Sequence, residues 1–293
     1  MTALGGDLYA ARFRLKRLPE ARLFLMSTTP AGHSEIHQWT GPEAPFLPTR
    51  KPHEGVVTVE TLDSRSLLEG RRYSVYLPPG YSGDTTYPLV VIADGNGLEH
   101  FVQLFEPLVV DGTLQPFIAV GLWSGEAAIM GENKPDYDVR GADYLPGFPQ
   151  GDDRFDKHLA FVADELLPAI AENYTVSDHP GDRVIAGKSN GGDFALVSAL
   201  RRPDIFGNAI VVSRSWKQYA VSPQEPAPVR FLMSAGLYEP NFRETTQRAA
   251  GKLKQAGYDT VYTDYVGGHD PLVFDQALYD GLMRLLPKEM ATE

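Results

Sequence analysis

What most constrains this chain is an alternation. Short strand-like runs recur along it: the continuous apolar run Pro88–Asp94 (PLVVIAD), then Phe117–Leu122 (FIAVGL), Arg183–Ala186 (RVIA), Ala209–Val212 (AIVV), Val229–Met233 (VRFLM) and Thr260–Tyr265 (TVYTDY). A continuous apolar run of this length is the mark of a strand covered on both faces. Between them lie stretches with apolar residues at helical spacing, at about Leu98–Val109, Asp156–Tyr174, Gly191–Arg201, Asn241–Ala256 and Pro271–Leu286. Strands that alternate with helices build βα units, so the chain reads as an α/β protein: a mainly parallel sheet with helices on both faces. Val56–Glu60 and Arg71–Leu77 instead alternate polar with β-branched or aromatic residues, which predicts an antiparallel hairpin at the start and makes the sheet mixed. Residues 1–50 break the rhythm. The proline-dense segment Thr40–Pro48 suits neither a helix nor a central strand, so 1–50 read as a short β-rich extension of strands and loops, ahead of an α/β domain over 51–293.

Composition narrows the chemistry. The 293 residues contain no cysteine, which removes disulfides, thiolate metal sites and a cysteine nucleophile together. Against 27 Lys+Arg stand 38 Asp+Glu, a net charge of −11. That balance argues against nucleic-acid binding and against anionic membranes, both of which need a basic surface. The first thirty residues hold no apolar run after a basic start, and no long apolar stretch follows, so neither a secretory leader nor a membrane span is expected and the cytoplasm is the default compartment.

Active sites of open α/β sheets lie at the carboxyl ends of strands. There the chain carries Gly187-Lys188-Ser189-Asn190-Gly191, a G-x-S-x-G sequence with an apolar strand before it and a small-residue helix after it. This is the context of a nucleophile elbow, whose turn is so tight that positions two before and two after the serine must lack side chains. A serine nucleophile needs a base and an orienting acid, in the order serine, acid, histidine. The sole histidine after Ser189 is His269, in Val266-Gly-Gly-His-Asp-Pro271 between the last strand and the last helix. The acid expected by position is Glu239, after the strand that precedes the last one; its rivals are Asp264 and Asp270, and a dyad with little help from any acid is a further possibility. For an oxyanion hole, the Asn190 N–H would be one donor and the Gly95 or Asn96 N–H, in the loop after the PLVVIAD strand, the other.

Two rival motifs fail on spacing. Gly187-Lys188-Ser189 also ends a phosphate-binding loop, but the first glycine of G-x-x-x-x-G-K-S would fall at Asp182, and the intervening residues read as strand. His33-x-x-x-His37 offers two histidines at helical spacing without the H-E-x-x-H order, in a segment that reads as surface loop, not a zinc site.

From Arg71 to about Leu286 the chain resembles the enterochelin-esterase and esterase-D group of α/β-hydrolases. The residues that carry the resemblance are RRYSVYLPPGY (71–81), VVIADGNG (90–97), DELLPAIAENY (164–174), AGKSNGG (186–192), VVSRSW (211–216) and VGGHD (266–270). Gly236-x-x-Glu-Pro240 is similar to the siderophore-esterase branch and supports Glu239 as the acid. The resemblance implies an α/β-hydrolase fold and serine ester hydrolysis of a small molecule, without metal or cofactor. Substrates in the group include catecholate siderophore esters and feruloyl or acetyl esters of carbohydrates. An anionic ferric catecholate would want cations at the mouth, and Lys188, Arg140, Arg154, Arg214, Lys217 and Arg243 fall in or near loops at strand ends; Lys188, Arg214 and Trp216 are the expected substrate contacts. A different class of reading, a non-catalytic binding module on a hydrolase scaffold, would keep the fold and lose the chemistry.

Overall fold

The computed structural model describes residues 2–5, 8–10, 13–28, 34–125, 138–215 and 227–288. Its centre is an eight-stranded sheet. β5 (Val56–Ser64) and β6 (Glu69–Leu77) form the expected hairpin. They are followed by β7 (Leu89–Ala93), β8 (Ile118–Leu122), β9 (Arg183–Lys188), β10 (Asn208–Val212), β11 (Arg230–Gly236) and β12 (Asp259–Tyr265). Across the sheet the order is β12-β11-β10-β9-β7-β8-β6-β5. The six strands from β7 to β12 pair in parallel, and β6 joins β8 antiparallel. This mixed, mainly parallel sheet is the α/β-hydrolase architecture that the sequence implies.

The apolar runs form central strands because both their faces are buried. All five residues of β7, β8 and β10 are buried. Alternate residues serve opposite layers: Leu89, Val91 and Ile185 pack with the helices on one face, while Val90, Ile92, Val184 and Ala186 pack on the other. The first layer contains α3 (Arg154–Phe161), α4 (Leu167–Asn173), α5 (Asn190–Arg201) and α6 (Pro240–Gln255); the second contains α1 (Leu98–Val110) and α7 (Pro271–Leu285). Each fully buried Val, Ile or Leu contributes roughly 1.5–3 kcal/mol, so the two layers supply most of the driving force for folding. One helix was not anticipated, α2 (Val139–Tyr144), a single short stretch capped by the Asp138 carboxylate. The helix expected over Asp156–Tyr174 is interrupted by a π turn at Val162–Leu166, between α3 and α4.

Before the main sheet lie two two-stranded sheets, β1 (Thr2–Gly5) with β2 (Leu8–Ala10), and β3 (Arg22–Thr28) with β4 (Ser34–Thr40). The segment with His37 is therefore strand, not the loop expected; period-2 pairing with β3 overrides its polar composition, and His33 lies outside the described residues. No described helix is long and apolar enough to cross a membrane.

The order of the chain reverses at β7: it proceeds outward to β8 on one side, then returns to β9 on the other. At such a switch point the loops leaving two adjacent strands part to opposite faces and leave a crevice at their carboxyl ends. Here those loops carry Asp94–Gly97 and Ser189.

Candidate active site

Strand β9 runs through Lys188, so Arg183–Lys188 is extended backbone and not a phosphate-wrapping loop. Ser189 follows at once, with φ 58 and ψ −123, and α5 begins at Asn190. A non-glycine residue in that region is strained, and strain of this kind persists only where surrounding structure enforces it. The enforcement is visible. The Ser189 N–H donates to the Val212 carbonyl at 3.0 Å, and its own carbonyl accepts from the Gly192 N–H at 3.0 Å. A Cβ on Gly187 would lie 2.1 Å from the Gly191 oxygen, and one on Gly191 would lie 2.8 Å from Ala93 Cβ. The turn thus closes only with glycine at both positions. Asn190, as the first residue of α5, offers a backbone N–H without an intrahelical acceptor at the positive end of the helix.

The loop after β12 reaches back across the sheet. Tyr238 N–H donates to the Gly267 carbonyl at 3.0 Å, and a Cβ on Gly236 would lie 2.6 Å from that same oxygen. The loop therefore passes directly over the end of β11 and brings His269 to Glu239, with Nδ1 2.5 Å from Oε2. Glu239 is buried, its side chain 3% exposed against 30% for His269. Its other oxygen, Oε1, accepts from the Gly236 N–H at 2.5 Å and from the Ser213 hydroxyl. A carboxylate only accepts, so Nδ1 must carry the proton that bridges to Oε2, and Nε2 is left as the basic nitrogen. The Phe242 ring stacks on the imidazole at a centroid separation of 4.0 Å and an interplanar angle of 17°.

The rival acids are committed elsewhere. Asp270 caps its own helix, accepting from the N–H groups of Leu272 and Val273, and burial raises its pKa. Asp264 makes a bidentate pair with Arg243 at 2.7–2.8 Å and accepts from the Tyr262 hydroxyl, contacts that hold it below the usual carboxylate range. Glu239 occupies the N-cap position of α6 but makes no side-chain cap there.

Beside the elbow, Gly95 is buried and tightly packed on β8: a Cβ would come within 2.0 Å of the Gly121 backbone. Its carbonyl accepts from the Ser74 hydroxyl at 3.1 Å, while Asn96 is exposed. Asp94, in the left-handed region, holds Arg140 through two bonds of 2.7 and 2.8 Å.

The cations expected at the mouth are mostly consumed within the protein. Arg214 is 3% exposed and paired with Asp193, which also receives the Ser215 N–H, so it braces the loop after β10 and does not present a cation to solvent. Arg154 is held by Asp143 and Glu69, Arg140 by Asp94 and Arg243 by Asp264. Lys188, half-buried, has no carboxylate within ion-pair range among the described residues; burial lowers its pKa, against the pull of Asp270 and Asp94. Trp216 and Lys217 lie outside the described residues. Two contributors to the site were absent from the sequence reading, Ser213 and Phe242, because neither belongs to a motif with its own chemistry.

The family model described as "Putative esterase" matches residues 64–285. Iron(III) enterobactin esterase of Dickeya dadantii is 26% identical over 259 residues, covering 80% of this chain; the chain spans 56% of that relative's length. Among solved structures, the enterobactin esterase of Shigella flexneri superimposes with a TM-score of 0.71 at 22% identity, over 89% of this chain and 67% of that one. The ferulic acid esterase of Anaeromyces mucronatus does so with a TM-score of 0.64 at 17% identity, over 80% and 93%. With three quarters of its length matched by that family model and its sheet shared with these enzymes, the chain belongs to the esterase family of α/β-hydrolases and is a carboxylic-ester hydrolase.

Proposed function

We propose that the chain hydrolyses its ester through an acyl-enzyme on Ser189, with His269 as general base and Glu239 as the orienting acid. The observation that carries this reading is the pairing of His269 with a buried Glu239 that no arginine among the described residues claims, alongside a strained serine at a helix start. His269 Nε2 takes the Ser189 proton as Oγ attacks the ester carbonyl. The oxyanion is met by the Asn190 N–H and by the Gly95 or Asn96 N–H. His269 then passes its proton to the departing alkoxide, and in the second half-reaction it activates the water that releases the acid. Glu239 keeps the imidazole in the one tautomer that leaves Nε2 free.

For the substrate, the Dickeya and Shigella relatives favour catecholate siderophore esters, the ester class their names indicate. A second reading, feruloyl or other uncharged aromatic esters, gains from the internal pairing of Arg140, Arg154, Arg214 and Arg243, which leaves fewer cations for an anionic ferric complex. Ser189→Ala should abolish both labelling by a fluorophosphonate and hydrolysis of p-nitrophenyl acetate, with kcat down by roughly 10³-fold or more. Full labelling of Ser189→Ala would overturn the nucleophile assignment. Comparing kcat/KM for enterobactin, its ferric complex and methyl ferulate decides between the substrates.

A further inference from the structure

We infer that Ser213 is a positioning residue for the acid–base arm, and that the Val212–Ser213 unit fastens that arm to the nucleophile. The inference rests on the proposed triad of Ser189, His269 and Glu239. Ser213 is the residue after β10, 1% exposed, and its φ is +49. A buried serine in the left-handed region is a strained conformation, so something must hold it there. Its hydroxyl is aimed at Glu239 Oε1, and its N–H donates to the Ser234 carbonyl at 2.8 Å.

Two consequences follow from the chemistry of that contact. An ionised carboxylate accepts only, so the Ser213 hydroxyl donates, and Oε1 collects two donors, the hydroxyl and the Gly236 N–H. Both stabilise the charged form of a buried carboxylate, and both fix its rotation so that Oε2 faces His269. The residue immediately before Ser213 acts on the other partner: the Val212 carbonyl accepts the Ser189 N–H at 3.0 Å. One peptide unit thus grips the nucleophile's backbone with its carbonyl, while the next side chain grips the acid. A register between serine and histidine that would otherwise depend on two separate loops is set by β10, a central strand buried along its whole length.

Removing the hydroxyl takes one donor from Glu239. Its carboxylate then binds a proton more readily and attracts the imidazolium more strongly, and both effects move the acidic limb of the rate profile to higher pH. Ser213→Gly is the informative variant, because glycine accepts φ +49 without strain and the protein should fold at least as well. Its kcat should fall about tenfold to a hundredfold on p-nitrophenyl acetate, the worth of one hydrogen bond to a charged group, with KM within about twofold. The acidic limb of kcat/KM should rise by about half a unit or more. Ser213→Ala, which keeps the Cβ and its strain, should match Ser213→Gly in kcat while melting lower. Paired with Glu239→Gln, Ser213→Gly should add no further loss, since it acts through Glu239. Near-normal kcat and an unmoved acidic limb in Ser213→Gly, with Glu239→Gln impaired, overturn this inference alone. Full additivity in the double variant overturns it too. Near-normal kcat in both single variants overturns the triad reading beneath it.

Discussion

Two of the histidines that lie near carboxylates, His158 and His269, have opposite characters. His158, on α3, is completely buried. Its neighbour Asp143 is claimed by Arg71 at 2.9 Å and Arg154 at 2.6 Å, and Arg71 and Arg154 also share Glu69. The ring is surrounded by Tyr144, Phe161 and Phe194 with centroids 5.0–6.2 Å away. Burial pushes its pKa down to about 3; Asp143 pulls the other way, and the two guanidiniums oppose that pull. The Arg71 guanidinium points at Nδ1 from 3.4 Å, a contact that only a neutral imidazole accepts. Among the described residues, His269 has one carboxylate with no guanidinium competing for it, one aromatic face, and a side chain still 30% exposed. The difference teaches that proximity to a carboxylate does not make a histidine basic. The carboxylate must keep one oxygen for the ring, clear of guanidiniums, and the other ring nitrogen must stay reachable.

The sharpest way to break the comparison is to exchange the fates of the two rings. His269→Gln should cost at least about 10³-fold in kcat, as expected for loss of a general base, with little change in Tm. His158→Phe should do the reverse, keeping kcat per folded molecule within about twofold. Steady-state kinetics normalised to folded protein by circular dichroism checks both. If His158→Phe were the slower enzyme, the roles assigned here would be inverted.

Next in size is the arginine that silences His158. Arg71→Met leaves Asp143 and Glu69 buried with one guanidinium between them, and breaking such a network costs about 3–5 kcal/mol because a charge is left uncompensated. A guanidinium chloride titration should show a midpoint far below that of the parent. Adding Asp143→Leu should restore part of the loss, since the uncompensated charge goes with it.

A smaller effect follows from pH. His158 titrates near 3 in the folded chain and near 6.5 when unfolded, so between those values the unfolded state binds a proton that the folded state refuses. Stability is then lost as pH falls below about 6.5, by about 2–3 kcal/mol at pH 4.5 from this ring alone, and unaffected above neutrality. His158→Phe should flatten that part of the stability curve relative to the parent. An unchanged slope would mean that His158 is protonated in the native protein.

Much of this site is legible in the sequence, and the illegible part has a physical pattern. The elbow is local: two glycines, a serine, a strand and a helix within a dozen residues, each forced by the same turn. The placement of His269 and Glu239 follows from strand order. What the chain does not spell out is pairing at a distance. Arg154 reads as a cation near a strand end, yet its partner Glu69 lies 85 residues earlier and takes the charge inward. Arg214 is neutralised likewise by Asp193, 21 residues before it. Helix α2 escapes notice because six residues are too few to show a period. Ser213 sits in VVSRSW without a chemical signature, since the feature that reveals it is a backbone angle.

The smallest expected effect concerns the aromatic face that Phe242 gives His269. Phe242 lies in the first turn of α6, three residues beyond Glu239, so the helix that begins after the proposed acid also carries the ring that stacks on the proposed base. A stacked face limits rotation of the imidazole about the Glu239 bond and, in the proposed mechanism, favours the imidazolium that would form as Ser189 is deprotonated, through attraction between cation and ring. Phe242→Leu keeps apolar bulk and removes the π face, so kcat should fall about twofold to fivefold with KM nearly constant, equivalent to the roughly 0.5–1 kcal/mol of an exposed cation–π contact. The matching change beside the silent histidine, Phe161→Leu, should alter thermal stability and leave kcat alone, because no charge ever develops on His158. If Phe242→Leu instead raised KM with kcat intact, the ring would belong to the substrate and not to the base.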